Sequence, residues 1–104
     1  MRRTQVFFTP VQDNEPVESL AAKALRLAEA ARLDRVIPKG RPCAVKQHFG
    51  EDKNTGYVKP PITRAIVDFV RKAGGDPFVT DTNTLYRGHR SQATDHLRQA
   101  AEVA

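Results

Sequence analysis

The chain contains three short β-favouring runs, each followed by a longer stretch in which apolar residues recur every three or four positions. Short runs of branched and aromatic side chains predict strands, whereas the longer spacing predicts amphipathic helices. The predicted strands are residues 4–8, 43–47 and 77–80. The predicted helices are residues 17–33, 60–73 and 91–104.

Proline, glycine and serine mark the ends of the predicted helices. Pro60 and Pro61 stand in the first turn of the middle helix, where the N–H that proline lacks has no partner within the helix. Gly74 and Gly75 follow its last turn, where glycine adopts a left-handed conformation at little cost. Ser91 is the predicted N-cap of the last helix.

Alternating strands and helices predict an α/β fold of three βα units with a parallel sheet. Such a sheet leaves two edges with unpaired backbone groups, and the last predicted helix reaches residue 104 without a stop signal. We therefore expect residues 1–104 to be a single α/β domain or the N-terminal part of a larger open sheet, with no internal boundary. A second copy of the chain, or a C-terminal segment, is expected across the sheet edge.

The composition suits one small hydrophobic core, because 39% of the 104 residues are hydrophobic and 28% are charged. No run approaches the ~20 apolar residues of a membrane span, and the N-terminus lacks the long apolar segment of a secretory signal. A cytoplasmic location without a membrane partner is therefore expected. Cys43 is the single cysteine, which excludes an internal disulfide; we expect it to pack as a small apolar residue.

Two long polar loops follow the second and third predicted strands, at residues 48–59 and 81–90. Ligands of open parallel sheets bind beyond the carboxyl ends of the strands, which is where these loops lie. The loops carry residue types that ligate divalent metals, although no established metal-ligand spacing is present. These residues are His48, Glu51, Asp81 and His89.

An anionic ligand is the alternative occupant of the same loops. The net charge is +5, and the windows 46–64 and 81–90 hold six cations against three acids. A locally positive rim suits phosphate or carboxylate, and a solvated set of charges would show the same pattern. No glycine-rich phosphate loop is present. Two tyrosines without a glycine-flanked strand motif do not indicate a nucleic-acid platform, so nucleic acid is not the expected partner.

Several segments together resemble the signature of the domain of unknown function 362 family, whose members are described as uncharacterised iron–sulfur centre proteins. The resemblance covers nearly the whole chain and rests on residues 43–51, 54–60, 79–86, 88–90 and 93–97. It implies the N-terminal portion of such a protein, with a 4Fe–4S cluster in a later, C-terminal part of the family's sequence. The cluster's cysteines are not among these residues, so no cofactor of this kind is expected on this chain.

The resemblance also implies that the two loops are the family's characteristic feature, and they lie where the strand ends predict the site. His48, Glu51 and Asp81 are predicted metal-binding or proton-handling groups, with Asn83 as an orienting amide. The predicted ligand-binding residues are Lys46, Asn54, Asn83, Tyr86 and Arg90.

The leading hypothesis is therefore the ligand-binding N-terminal part of an iron–sulfur-associated protein, with a metal or small-anion site at the carboxyl ends of the strands. The alternative is a stand-alone module, without a cluster, that binds anions or nucleic acid. Neither hypothesis assigns a reaction.

Overall fold

A computed structural model describes residues 3–48 and 56–81 of the chain. Within these ranges, helix α1 spans Val17–Ala30 and is followed by a single 3₁₀ turn at Leu33–Val36. Strand β1 spans Pro42–Lys46, helix α2 spans Pro60–Lys72, and strand β2 spans Asp76–Thr80. The α/β class is therefore confirmed.

Strands β1 and β2 pair in parallel, with Cys43 opposite Pro77 and Val45 opposite Val79. One further hydrogen bond extends the pairing beyond the strand ends, because the Gln47 N–H donates to the Thr80 carbonyl at 3.0 Å. Along β1 the side chains alternate between exposed and half-buried positions, as expected for a sheet covered on one face. Helix α2 joins the two strands and packs against both of them, which makes a βαβ unit.

Helix α2 begins and ends where the sequence predicts. Pro60 and Pro61 occupy its first turn, and Gly74, which follows the C-cap, has a φ of +97°. Gly75 is required for a different reason, because a Cβ atom there would lie 2.6 Å from Cγ2 of Ile37 and 3.0 Å from Cγ1 of Val70. Only glycine permits this close approach between the end of α2 and the chain entering β1.

Helix α1 packs against α2, and Ala28 and Val70 are buried in the small core of the described residues. The helix ends at Ala30, three residues before the predicted end, because Arg32 adopts a left-handed φ of 54° and starts the 3₁₀ turn.

Before the helix, the Glu15 carboxylate accepts hydrogen bonds from the Lys23 ammonium at 2.8 Å and the Ser19 hydroxyl at 2.6 Å. These contacts lower the pKa of Glu15 to about 2, the Lys23 bond contributing most.

The predicted strand at residues 4–8 is wrong. This segment forms no strand, and Val6 and Phe8 are 85% and 83% exposed. A strand needs a neighbouring strand for its backbone hydrogen bonds, whereas Gln5, Val6 and Phe7 line a groove over the two helices.

Three βα units are therefore not confirmed. The first unit has its helix without its strand, and the helix expected at residues 91–104 lies outside the described residues. The part of the chain that the structure describes holds one βαβ unit preceded by a helix. None of its helices is both long enough and apolar enough to span a membrane.

Candidate functional site

The carboxyl ends of β1 and β2 lie side by side and form the candidate site. Strand β1 ends at Lys46 and β2 at Thr80, paired in register, so Gln47, His48 and Asp81 follow at the same edge of the sheet. This edge is where α/β proteins bind their ligands.

An ion pair joins the two strand ends. Nζ of Lys46 lies 3.5 Å from Oδ1 of Asp81. The side chain of Asp81 is only 4% exposed, whereas that of Lys46 is 69% exposed. The nearby ammonium supplies the opposite charge that a carboxylate so far removed from water requires. The pair therefore combines a sheltered negative charge with an ammonium that remains open to solvent.

A second contact connects this edge to helix α2. The Thr63 hydroxyl donates a hydrogen bond to Oε1 of Gln47, and Thr63 is buried at the first turns of the helix. The bond holds the residue after β1 against α2, so the strand end and the helix start form one polar surface.

Neither member of this contact was among the predicted site residues. Thr63 stands three residues before Ile66 and seven before Val70, on the apolar stripe of the helix. A polar residue on an apolar stripe was a signal that the sequence offered, since buried hydroxyls require a hydrogen-bond partner.

A further cation stands just before α2. Nζ of Lys59 lies 3.8 Å from the centre of the Tyr57 ring, within the range of a cation–π interaction. Lys59 belongs to the group of cations that the sequence places around these loops. This contact places the Lys59 ammonium beside the start of α2.

Three predicted site residues lie within the described ranges. The structure brings Lys46 and Asp81 together, and His48 is an exposed residue two positions beyond β1. Among residues 3–48 and 56–81, no group of three His, Cys, Asp or Glu side chains is placed to hold a metal ion. The other predicted residues lie outside the described ranges: Glu51, Asn54, Asn83, Tyr86, His89 and Arg90.

The residues of the chain do not fit a 4Fe–4S cluster. Such a cluster is held by four cysteine thiolates, and Cys43 is the single cysteine of these 104 residues. It is half-buried within β1, as a small apolar side chain would be.

The fold and the site define a parallel βαβ unit of the α/β class with a charged carboxyl edge. A family model described as Domain of unknown function (DUF362) matches residues 43–104, which is more than half of the chain. The chain therefore belongs to this family. The match begins in β1 and includes α2 and β2, so both members of the Lys46–Asp81 pair lie within it. Searches of curated proteins and of solved structures found no match.

Proposed function

We propose that the carboxyl edge of the βαβ unit binds a small oxyanion, carboxylate or phosphate, through Lys46. The observation that carries the proposal is the Lys46–Asp81 pair, in which the carboxylate is sheltered and the ammonium is open to solvent. An ammonium has three N–H donors, so one partner at 3.5 Å leaves donors for a ligand. Asp81 then acts as a positioning residue that holds the Lys46 ammonium at the edge.

Neighbouring groups support an anion at this edge. Lys59 adds a second positive charge at the start of α2, and Gln47 is fixed by its bond from Thr63. Charge-assisted hydrogen bonds to oxyanions are roughly twice as strong as neutral ones. The proposal extends to Asn54, Asn83, Tyr86 and Arg90, the other ligand-binding residues predicted from the sequence.

A divalent metal is the second candidate, and the buried Asp81 carboxylate is what favours it. His48 and Glu51 are the other ligands proposed for this site. Carboxylate and imidazole suit a metal such as Zn²⁺ or Mn²⁺. In that case Lys46 has to release Asp81, so the metal and the ion pair compete for one carboxylate.

At the level of the whole protein, we propose that this edge is the ligand-binding part of an iron–sulfur-associated protein, as the family resemblance implies. The cluster would be supplied by another part of that protein. The role of these residues is then to bind and orient the ligand, and no reaction is assigned to them.

The first test compares two variants of the chain by isothermal titration with citrate and with inorganic phosphate. Lys46→Ala removes the proposed anion partner and should weaken binding about tenfold, as the loss of a charge-assisted hydrogen bond does. The control, Arg26→Ala, removes one exposed cation from α1, distant in sequence from the edge. It should change affinity less than twofold. Equal losses in both variants would reduce the effect to net charge and contradict the proposal.

The Asp81→Asn variant distinguishes anion binding from metal binding at this edge. The variant keeps the shape of the side chain but removes its charge, so Zn²⁺ and Mn²⁺ binding should be lost, whereas anion binding should weaken less than in Lys46→Ala because the ammonium remains. If wild type binds Zn²⁺ tightly and binds the anion only when Zn²⁺ is present, the metal becomes the correct assignment.

A further inference from the structure

We propose a second binding site at the opposite end of the sheet, a basic cleft that takes the phosphoryl group of a small organic phosphate. The cleft lies between the 3₁₀ turn, the segment entering β1 and the last turn of α2. Its cations are Arg35, Lys39 and Lys72. Neither the family description nor the carboxyl-edge site includes it.

The cleft has the size of a small-molecule site. Its volume is about 660 Å³, inside the range of roughly 300–1,000 Å³ that ligand pockets occupy. Besides the three cations, its lining residues are Asp34, Ile37 and Ala73. The last two are half-buried and apolar, so the cleft offers charge on one side and an apolar floor on the other.

Backbone contacts at the starts of the two strands fix the position of Lys39. The Gly40 N–H donates to the Gly74 carbonyl at 2.8 Å, and the Asp76 N–H donates to the Arg41 carbonyl at 2.9 Å. Cγ of Lys39 lies 3.3 Å from the position of a Cβ on Gly74. The stem of Lys39 therefore rests on the end of α2, which brings its ammonium to the cleft that Lys72 also lines.

Asp34, the one acid among the described residues that line the cleft, is already paired. The Arg32 guanidinium donates two hydrogen bonds to the Asp34 carboxylate, both at 3.0 Å. This contact lowers the pKa of Asp34 and raises that of Arg32, so the pair stays ionised and contributes no net charge.

The three cations lack hydrogen-bonded ion pairs of this kind, and the Asp34 carboxylate attracts Arg35 only through space. Within the described ranges, none of Arg35, Lys39 and Lys72 forms an ion pair with an acidic side chain. The dipole of α2 favours Lys72 in the last turn of that helix. It does not account for Arg35 and Lys39, which come from the 3₁₀ turn and the following loop. Three converging positive charges from separate segments are what a multiply charged anion requires.

The residue types indicate phosphate with an organic part. A guanidinium binds phosphate through two parallel N–H donors, and ammonium groups add point charges. Ile37 and Ala73 provide contact for an apolar portion that inorganic phosphate lacks. The expected order of affinity is therefore phenyl phosphate above inorganic phosphate.

The experiment is isothermal titration of the full chain at low ionic strength with these two compounds. Lys39→Gln/Lys72→Gln should weaken phenyl phosphate binding at least about tenfold. The matched control, Arg3→Gln/Arg26→Gln, removes the same number of charges from exposed positions outside both sites and should change affinity less than twofold. Circular dichroism checks that the variants fold, and Arg35→Gln alone provides a second test of the cleft.

Three outcomes would overturn the proposal. The first is equal weakening by both double variants, and the second is the absence of saturable phenyl phosphate binding. The third is displacement of the ligand by an oligothymidylate at equal phosphate concentration, which would make the surface a contact for nucleic-acid backbone. Lys46→Ala leaves the cleft intact, so binding retained in that variant separates this site from the proposed function.

Discussion

Residues 4–8 and strand β2 are both short β-favouring runs that include phenylalanine and valine, yet only β2 becomes a strand. Side-chain burial does not separate them, because Phe78 and Val79 in β2 are themselves exposed. The difference lies in the backbone. Strand β2 pairs with β1 along five residues, whereas residues 4–8 lie over a groove between helices.

The comparison shows that a β-favouring run becomes a strand only where a neighbouring strand is available for its backbone hydrogen bonds. Helix α2 connects β1 to β2 and packs against both strands, and the close approach at Gly75 immediately precedes β2. Within the described residues, no such connection joins residues 4–8 to a strand. Substitutions at Gly75, Val70 and Thr63 test whether β2 depends on these contacts while residues 4–8 do not.

Gly75→Ala should have the largest effect. The added Cβ would meet Ile37 at 2.6 Å and Val70 at 3.0 Å, and overpacking of this kind costs about 1–3 kcal/mol. Urea unfolding measures the loss in the free energy of unfolding. In a double-mutant cycle, Ile37→Ala should recover part of the loss because it removes the clashing methyl group. Strict additivity of the two variants would show that the close approach is not what requires glycine.

Val70→Ala should cost about 2 kcal/mol, because two methyl groups are removed from a side chain that is 3% exposed. The matched substitution in the unpaired segment is Val6→Ala, which should change the free energy of unfolding by less than about 0.5 kcal/mol. Urea unfolding of the two variants measures both changes in the free energy of unfolding. A comparable loss at Val6 would mean that residues 4–8 are buried in solution, and the comparison would fail.

Thr63→Val should cost about 1 kcal/mol, because the variant keeps the shape of the side chain but removes the donor to Gln47. Thr4→Val is the control, since Thr4 is exposed in the unpaired segment. Thermal unfolding at pH 7 compares the stability of the Thr63→Val and Thr4→Val variants. If both variants behave alike, the link between the β1 end and α2 contributes nothing to stability.

The smallest effect is expected from the polar cluster before α1, and it depends on pH. The folded state lowers the pKa of Glu15 from 4.5 to about 2, so folding favours the carboxylate. Its contribution to stability is complete above pH 4.5 and is lost as the pH falls from 4.5 towards 2. The stability difference between wild type and Glu15→Gln should therefore shrink over this range. Glu18→Gln, an exposed position in the first turn of α1, is the control, and an identical profile would contradict the role of the cluster.

The candidate sites differ in how far the sequence anticipates them. Lys46 and Asp81 could be placed at one edge because Lys46 lies near the end of one predicted strand and Asp81 follows the next, and parallel strands end on the same side of a sheet. The basic cleft could not be predicted in this way. Arg35, Lys39 and Lys72 belong to a 3₁₀ turn, a loop and a helix end, and only their packing brings the three charges together.

The local structure follows from the sequence: both described helices, the proline start and glycine end of α2, and the two strands of the βαβ unit. These features depend on periodicity and on residues whose backbone preferences act over a few positions. Packing between distant residues explains why residues 4–8 form no strand, why α1 ends at Ala30, and why Lys46 lies beside a sheltered Asp81. Strand pairing, burial and charge clustering join residues distant in the chain, and no short window of sequence contains that information.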